Sequence, residues 1–221
     1  MILKKLKGVI FDMDGLMLDT EKLLTRFWCE AAVLYGYPMT KEHVLGIRSL
    51  SSKYAIPHLK EIFGEDFRYW DVRAKRIELM NAYILHNGIE KKPGLDGLLE
   101  FLRESGLKIA VATATDRERT DMYLSSVGVL GYFDSMICGN MVKNGKPAPD
   151  IYLTAAAALE LPPESCIALE DSPNGIRSAY DAGCIPVMVP DLSEPDDDTA
   201  KLLYAKCSSL TEVKDVVRKM L

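Results

Sequence analysis

Short apolar segments alternate with helical patterns along most of this 221-residue chain. Runs rich in Val, Ile, Ala and Leu predict five strands, at residues 7–11, 108–112, 135–138, 165–169 and 185–189. From residue 95 onward, amphipathic segments between these strands predict helices at residues 95–104, 117–126, 150–159 and 175–182. This alternation predicts an α/β fold in which helices cover both faces of a parallel sheet.

The stretch from residue 20 to residue 92 has a different pattern and contains no convincing strand. Apolar residues recur there at helical spacing, as in Leu23, Phe27 and Ala31, and predict helices at 20–35, 40–45, 52–63 and 66–85. Because this stretch directly follows the first strand, we expect it to form a lid over the edge of the sheet. The predicted division is a core of residues 1–19 and 93–221 with a helical cap of residues 20–92. Residues 194–198, with three consecutive aspartates, predict a solvated loop.

Composition and charge exclude several kinds of partner. The net charge of −5 disfavours binding to nucleic acid or to an anionic membrane surface. No apolar stretch reaches the roughly 20 residues that span a bilayer, and the N-terminus has no apolar signal-peptide region. The five cysteines are scattered, without a Cys-x-x-Cys pair, and indicate buried reduced thiols rather than a catalytic cysteine. We therefore expect a cytoplasmic monomer.

Polar residues gather where the predicted strands end. Asp12 and Asp14 directly follow the first strand, and alternation along an extended chain directs both carboxylates to the same side. The carboxyl ends of parallel strands are where open α/β sheets bind ligands. Two carboxylates held so close favour a bound cation, although an Asp-rich turn closed by Gly15 is the alternative.

Three further clusters fall in comparable positions. Thr113, Ala114 and the following backbone N–H groups suit a phosphate oxygen, although Thr115 or Asp116 could simply cap the next helix. Glu170 and Asp171 follow an apolar run and are candidate metal ligands, with helix capping by Asp171 or Ser172 as the alternative. Lys146 precedes Pro147 and Pro149, which stiffen the chain and fix its direction, although such a motif alone more often marks a surface lysine in a proline turn.

Together these residues have the chemistry of a phosphoryl-transfer site. Asp12, Asp14 and Asp171 offer the hard oxygen ligands that Mg²⁺ prefers. Thr113 and Lys146 offer a hydrogen bond and a positive charge to a phosphoryl group. One carboxylate can attack phosphorus while the other transfers a proton.

The same motifs resemble those of a known family. The segments Asp12-Met-Asp-Gly15, Thr113, Lys146-Pro-Ala-Pro-Asp150 and Glu170-Asp-Ser-Pro-Asn-Gly175 are similar to the four ordered motifs of the haloacid dehalogenase superfamily. The likeness spans almost the whole chain and is greatest to the branch of β-phosphoglucomutases and sugar-phosphate phosphatases. It implies a Rossmann-like core, a mobile helical cap, Mg²⁺ and an aspartyl-phosphate intermediate.

This resemblance assigns expected roles to the residues. Asp12 is the expected nucleophile and Asp14 the general acid and base. The Asp12 carboxylate, the Asp14 carbonyl oxygen and Asp171 are the expected Mg²⁺ ligands, while Glu170 is either a ligand or an outer hydrogen-bond acceptor. Asn174 could bind a metal-coordinated water or form a turn. Within the cap, Arg48, Lys75 and Arg76 are the candidate substrate-binding residues.

Two other classes of protein fit these residues less well. A dehalogenase would use Asp12 on carbon, but it needs neither a metal nor an acid at position 14. A phosphate-accepting receiver module also combines clustered acids with a lysine, but its lysine would be expected after all the acids, whereas Lys146 precedes Glu170. The sequence therefore predicts an Mg²⁺-dependent phosphatase that acts on a small phosphorylated metabolite, either a sugar phosphate or a nucleotide-derived compound.

A β-phosphoglucomutase-type mutase is the main alternative, because it shares every core motif. In the mutases of this branch, a histidine twelve residues after the nucleophile couples cap closure to proton transfer. That position here is Leu24, which cannot relay a proton, although a plain core leucine would also be expected at this helix position. The mutases' glycine-rich cap loop is matched only approximately, by residues 46–49. Both differences favour the phosphatase.

Overall fold

Six parallel strands form a single sheet in the computed structural model, which describes residues 5–221. The strands, in chain order, are β1 (Gly8–Phe11), β2 (Lys108–Thr113), β3 (Ser135–Cys138), β4 (Cys166–Glu170), β5 (Ile185–Met188) and β6 (Ala205–Lys206). Their order across the sheet is β3-β2-β1-β4-β5-β6, so β1 lies between β2 and β4. The chain direction across the sheet reverses next to β1, and ligand crevices form at such a switch point.

Ten α-helices connect these strands within the described part of the chain. They are α1 (Glu21–Leu34), α2 (Lys41–Gly46), α3 (Ser52–Phe63), α4 (Tyr69–Asn87), α5 (Leu95–Glu104), α6 (Arg117–Ser126), α7 (Asp150–Ala158), α8 (Pro173–Asp181), α9 (Asp197–Ala200) and α10 (Leu210–Arg218). None of the helices in residues 5–221 has the length and apolar composition needed to cross a membrane.

The sheet is buried on both faces because its strand residues alternate between two cores. Val9 and Phe11 of β1 pack in one core with Leu98 of α5 and Val213 of α10. Ile10 belongs to the opposite core, which also contains residues of α7 and α8. A strand that is apolar on both faces is typical of a central position in a parallel sheet. The predicted α/β fold with a Rossmann-like parallel sheet is therefore confirmed.

Helices α1 to α4 lie between β1 and β2 and pack around a third core. Trp28, Val44, Leu59 and Val72 are buried in it. Helices α1 and α4 also contact the main core, through the buried residues Leu23, Phe27, Met80 and Ile84. The residue boundaries 19/20 and 92/93 between core and cap remain a prediction, and residues 1–4 of the predicted core lie outside the described residues.

Several predicted element bounds are wrong at their ends. Glu170 is the last residue of β4, whereas the sequence pattern had ended that strand at residue 169. Helix α8 begins at Pro173, two residues early, because proline is well suited to the first turn of a helix. The predicted solvated loop at 194–198 holds for residues 194–196, whereas Asp197 and Asp198 begin α9, which Asp196 caps by accepting a hydrogen bond from the Thr199 backbone N–H at 2.7 Å.

The five cysteines are free thiols in the structure, and all except Cys29 are buried. Burial raises the pKa of the Cys166 thiol to about 11, which makes its reactive thiolate scarce at neutral pH.

Candidate active site

The four predicted polar clusters meet at the carboxyl edge of the sheet. Asp12 follows β1 directly, and its backbone N–H donates to the Leu169 carbonyl of β4 at 3.0 Å. Because β1 lies between β2 and β4, the residues that follow these three strands are neighbours. Some of these residues, Asp12, Asp14 and Ala114, line a cavity of about 410 Å³ together with Lys146. The opposite wall comes from α1, α4 and residues 44–55, and includes the predicted Arg48 and Arg76.

Lys146 holds two carboxylates together beneath this cavity. Its Nζ donates to Asp12 Oδ1 at 2.5 Å and forms an ion pair with Glu170 Oε1 at 2.5 Å. Burial alone would lower the pKa of Lys146, but the negative charges of Asp12 and Glu170 raise it above its usual value. Lys146 is therefore a permanent cation that favours the ionised form of Asp12.

Glu170 is engaged at both of its carboxylate oxygens. Besides Lys146, the Tyr152 hydroxyl donates to Oε1 at 2.6 Å, and the Ser172 hydroxyl lies 3.3 Å from Oε2. Gly175 packs directly against this carboxylate, and a side chain at position 175 would overlap it. The glycine of the Glu170–Gly175 motif is thus required by close packing around Glu170.

Asp12, Glu170 and Asp171 form a buried acidic cluster. One carboxylate oxygen from each residue lies within 4.8 Å of the others. Burial raises the pKa of Asp12 well above its usual range, opposed by Lys146, and burial also raises the pKa of Asp171. Three carboxylates gathered in this way are stabilised by a cation.

Asp171 provides the clearest evidence for where a cation fits. Neither of its carboxylate oxygens has a hydrogen-bond partner, although the residue is fully buried. Gly15, at φ +82°, lies against this carboxylate, and a Cβ at position 15 would overlap it. Buried carboxylate oxygens are normally satisfied, and oxygen ligands are those that Mg²⁺ prefers. The donor set, with two buried Asp171 oxygens that accept no hydrogen bond from the described residues, therefore fits a divalent cation.

Asp14 is oriented by hydroxyl groups rather than by the acidic cluster. Thr20 donates to its Oδ1 at 2.7 Å and Thr115 donates to its Oδ2 at 2.8 Å. Thr113 is buried beside them, and its hydroxyl lies 3.4 Å from Asp14 Oδ2. The same hydroxyl accepts a hydrogen bond from the Thr115 backbone N–H at 3.1 Å. Thr113 thus supports Asp14, while Ala114 and Thr115 line the cavity.

Arg48 connects the helical insertion to the acidic cluster. Its Nη2 donates to the Asp171 carbonyl at 3.0 Å and to the Ser193 hydroxyl at 2.9 Å. Its Nε lies 4.0 Å from Asp171 Oδ2. Asn174 donates to the Arg48 carbonyl at 2.9 Å, so its amide joins the insertion to the core.

The other two candidate cap residues differ sharply from each other. Arg76 is buried, lines the cavity and lies 5.3 Å above the Trp28 ring. Lys75 is not among the residues that line the cavity, and it pairs with Glu78 at 2.6 Å. Adjacent helix residues point about 100° apart, so only one of the two can face the cavity. The structure therefore places Arg76 in the cavity wall and Lys75 outside it.

Glu21 is a cavity residue that sequence reasoning missed. It is the first residue of α1, where an acidic side chain is also expected from the helix dipole alone, so no distinct signal marked it. Burial and the nearby Asp14 raise the pKa of its carboxyl to about 8, opposed by Arg48. Arg73 and Arg119 were missed as well, because helical charges of this kind usually face solvent.

Comparison with known proteins agrees with this geometry. Residues 9–189 match the family model described as haloacid dehalogenase-like hydrolase. A phosphorylated carbohydrates phosphatase from Thermotoga maritima is 33% identical over 183 residues, which cover 80% of this chain and 82% of that protein. Hexitol phosphatase A from Escherichia coli is 30% identical over 200 residues, covering 86% and 88% of the two chains.

A solved structure has the same fold. CbbY from Rhodobacter sphaeroides, in complex with phosphate, is similar with a TM-score of 0.80 and 27% identity, and the match covers 94% of this chain and 96% of that one. The family model matches well over half of the chain, and it includes all four polar clusters at the sheet edge. The protein described here belongs to the haloacid dehalogenase-like hydrolase family.

Proposed function

We propose that this protein is an Mg²⁺-dependent phosphatase that hydrolyses a small phosphorylated metabolite, using Asp12 as the nucleophile. The observation that carries this proposal is the Lys146 Nζ at 2.5 Å from Asp12, beside the acidic cluster and in the wall of the cavity. The phosphatases among its relatives act on phosphorylated carbohydrates and hexitol phosphates by name, which supports a sugar phosphate or similar compound as substrate.

The acidic cluster supports a site for Mg²⁺. The residues that would hold the ion are Asp12 and Asp171 through carboxylates and Asp14 through its carbonyl oxygen. Glu170 has both oxygens engaged with protein partners, which favours a role in orienting the ligands, although it remains near enough to bind directly. When bound, the ion would offset the repulsion between the carboxylate nucleophile and the phosphoryl oxygens.

In the first step, an Asp12 carboxylate oxygen attacks phosphorus in line. The bond from phosphorus to the leaving-group oxygen breaks, and Asp14 gives its proton to that oxygen. Lys146 keeps Asp12 ionised for the attack and adds positive charge near the phosphoryl group. Ala114, which lines the cavity, is the proposed partner for a phosphoryl oxygen through its backbone N–H, whereas the Thr113 hydroxyl, also predicted for that role, is directed at Asp14.

In the second step, Asp14 takes a proton from a water molecule as that water attacks phosphorus. The bond between Asp12 and phosphorus breaks, inorganic phosphate leaves, and Asp12 is restored. The hydroxyls of Thr20 and Thr115 hold Asp14 in place, and a positioned acid or base of this kind typically contributes about 10²–10⁴-fold in rate.

We propose that residues 20–92 act as a cap, which excludes water and selects the leaving group, over a core of residues 1–19 and 93–221. Support comes from three contacts across this boundary. Arg48 donates to Asp171, the Ser172 hydroxyl lies 2.9 Å from the Ser49 hydroxyl, and the Ser51 backbone N–H donates to the Lys146 carbonyl at 3.1 Å. Closure of such a cap over the core excludes water and assembles the active site around the bound substrate.

A phosphatase is favoured over a mutase by the position of Leu24. This side chain lines the cavity and packs on the main core, so the first helix of the insertion presents an apolar group there. A mutase must protect its aspartyl phosphate from water until a sugar hydroxyl attacks, which calls for a proton-relaying group.

Phosphate release tests the proposed function. The wild-type protein and Asp12→Asn are compared with Mg²⁺ on p-nitrophenyl phosphate, sugar phosphates, nucleotides and phosphorylated glycolytic acids. We expect release by the wild type and none by Asp12→Asn, because an amide cannot form the acyl phosphate, with unchanged circular dichroism. Near-normal rates for Asp12→Asn would exclude this mechanism.

A further inference from the structure

Arg76 is a buried cation that forms no ion pair with the residues that the structure describes. The residue is 5% exposed, and among residues 5–221 its Nε and Nη1 atoms have no hydrogen-bond partner. Its guanidinium lies over the Trp28 ring, which offers a weak cation–π attraction but no acceptor oxygen. Burying a charged group without hydrogen bonds is costly, so its presence calls for an explanation.

Two more arginines face the same part of the cavity. Arg119 of α6 is buried and Arg73 of α4 is half-buried, and both line the cavity together with Arg76. Asp116 pairs with Arg119 at 2.7 Å, whereas neither Arg73 nor Arg76 forms an ion pair with another described residue. Three guanidinium groups and one carboxylate leave an excess of positive charge.

The two neighbouring arginines affect the pKa of Arg76. Burial, together with Arg119 and Arg73, lowers the pKa of Arg76 to about 9, and the nearby Tyr123 and Tyr69 oppose that shift. The guanidinium therefore still carries its charge at neutral pH. A planar guanidinium presents several N–H donors in a geometry that matches the oxygens of a carboxylate or a phosphate.

The arginine cluster is continuous with the proposed catalytic residues. Thr115 contacts Asp14 at 2.8 Å, and the next residue, Asp116, holds Arg119. Lys146 and the acidic cluster lie on the sheet side of the cavity, while Arg73 and Arg76 come from α4 of the insertion. A molecule whose phosphoryl group reaches Asp12 can thus extend toward these arginines.

We propose that Arg73, Arg76 and Arg119 bind a second anionic group of the substrate, separate from the phosphoryl group that is cleaved. This inference rests on the proposed phosphatase function and narrows its substrate class to phosphomonoesters that carry a further carboxylate or phosphate. The free N–H groups of Arg76 are the central donors, and Arg119 and Arg73 add charge on either side.

Competition against hydrolysis of p-nitrophenyl phosphate tests the inference, because it measures binding whether or not a competitor is cleaved. Two matched pairs differ only in the distal group. Glycerol 3-phosphate is compared with 3-phosphoglycerate for a carboxylate, and fructose 1-phosphate with fructose 1,6-bisphosphate for a phosphate. We expect the anionic member of at least one pair to have an inhibition constant about tenfold or more below its neutral counterpart, as for a charged hydrogen bond.

In Arg76→Met, the inhibition constants of the neutral and the anionic competitor of that pair should differ by no more than a few-fold. In Arg73→Met, the ratio of these two constants should also be smaller than in the wild type. Arg26→Met is the matched control, because Arg26 also lies over an aromatic ring on this insertion, 4.9 Å from the Phe27 centroid, but is exposed and outside the cavity. It should retain the wild-type ratio. Equal inhibition constants within both pairs for the wild type, or an unchanged ratio in Arg76→Met, would overturn the inference.

Thermal unfolding without substrate gives a second readout. Removing an uncompensated buried charge should raise the Tm of Arg76→Met by about 2–4 °C, whereas loss of a structural arginine would lower it. A lower Tm would therefore contradict a binding role. If the wild-type protein with Mg²⁺ fails to hydrolyse p-nitrophenyl phosphate at all, the proposed function itself is refuted, a result distinct from equal inhibition within the pairs.

Discussion

Lys146 Nζ lies 2.5 Å from Asp12 Oδ1, and solvent reaches at most 4% of either side chain. The same ammonium also pairs with Glu170. One cation therefore compensates two buried carboxylates, and it does so from a loop between β3 and α7. Charge pairs as buried as this are expensive to break, because the remaining partner is left without compensation. Lys146 therefore contributes both to the stability of the carboxyl edge of the sheet and to the chemistry proposed for Asp12.

Lys146→Met should both destabilise the protein and inactivate it. We expect a loss of about 3–5 kcal/mol in the free energy of unfolding, because Asp12 and Glu170 lose their buried partner. Phosphatase activity should fall by about 10²–10³-fold or more, as when a group that stabilises transition-state charge is removed. Urea unfolding and phosphate release measure the two effects. Lys143→Met, an exposed lysine three residues earlier, is the control and should change neither. Normal activity in Lys146→Met would show that the cation is dispensable.

Removal of divalent metal should abolish activity reversibly. We expect loss of phosphate release in EDTA, full recovery with Mg²⁺ and weaker recovery with Ca²⁺, which takes more ligands at longer distances. Asp171→Asn should raise the Mg²⁺ concentration needed for half-maximal activity, because it removes a buried carboxylate whose oxygens accept no hydrogen bond from the described residues. A metal-stripped protein that remains fully active would instead support the dehalogenase alternative.

Glu21 should make the stability of the metal-stripped protein depend on pH. Its pKa is about 8 in the fold, against 4.5 as the ordinary value. Between these values the folded chain keeps a proton that the unfolded chain has lost, so the free energy of unfolding falls as pH rises through this range. Glu21→Gln removes this penalty and should raise the Tm more at about pH 8.5 than at about pH 5.

Glu30→Gln is the control for that measurement, since Glu30 is an exposed carboxylate on the same helix. Its effect on the Tm should be the same at both pH values. If the two Glu21→Gln differences are equal, the carboxyl of Glu21 titrates normally and its environment is not as described.

Phosphorus NMR distinguishes a phosphatase from a mutase. With β-glucose 1-phosphate and a bisphosphate primer, inorganic phosphate should accumulate faster than glucose 6-phosphate, because Leu24 cannot relay a proton in the cavity wall. Faster accumulation of glucose 6-phosphate would show that the chain is a mutase.

The sheet and its polar edge were predictable from the sequence because both follow from local patterns. Apolar runs define β1, β2 and β4, and parallel strands bring their carboxyl ends together, so Asp12, Thr113 and Asp171 had to be neighbours. Strand positions reveal which residues meet, but not which hydrogen bonds they make. Thr113 contacts Asp14 and does not line the cavity, which the strand pattern alone does not indicate.

The cavity wall opposite the sheet was harder to predict, because it depends on how helices are rotated. Helix α4 is apolar along more than one side, since Met80 joins the main core and Val72 the third core. The sequence therefore does not identify which of Lys75 and Arg76 faces inward. The convergence of Arg76 with Arg119, from helices α4 and α6, is a tertiary contact without a sequence signature.

The last two elements of the chain, β6 and α10, were not predicted, for two different reasons. Strand β6 has two residues, too few for an alternating pattern, and it was not predicted. Helix α10 was also missed, although Leu210, Val213 and Val217 have the helical spacing of buried residues. The signal for α10 was present in the sequence, whereas that for β6 was not.

Trapping the aspartyl phosphate tests the central claim most directly. Asp14→Asn, mixed with p-nitrophenyl phosphate and Mg²⁺, should still phosphorylate Asp12, because nitrophenolate leaves without a proton donor. Hydrolysis of the intermediate should be slow, because the base that activates water is missing. Acid quenching, borohydride reduction and peptide mass spectrometry should then find homoserine at position 12, with Asp12→Asn as the negative control. Modification at another residue, or an unmodified Asp12 during continued release of phosphate, would contradict the account.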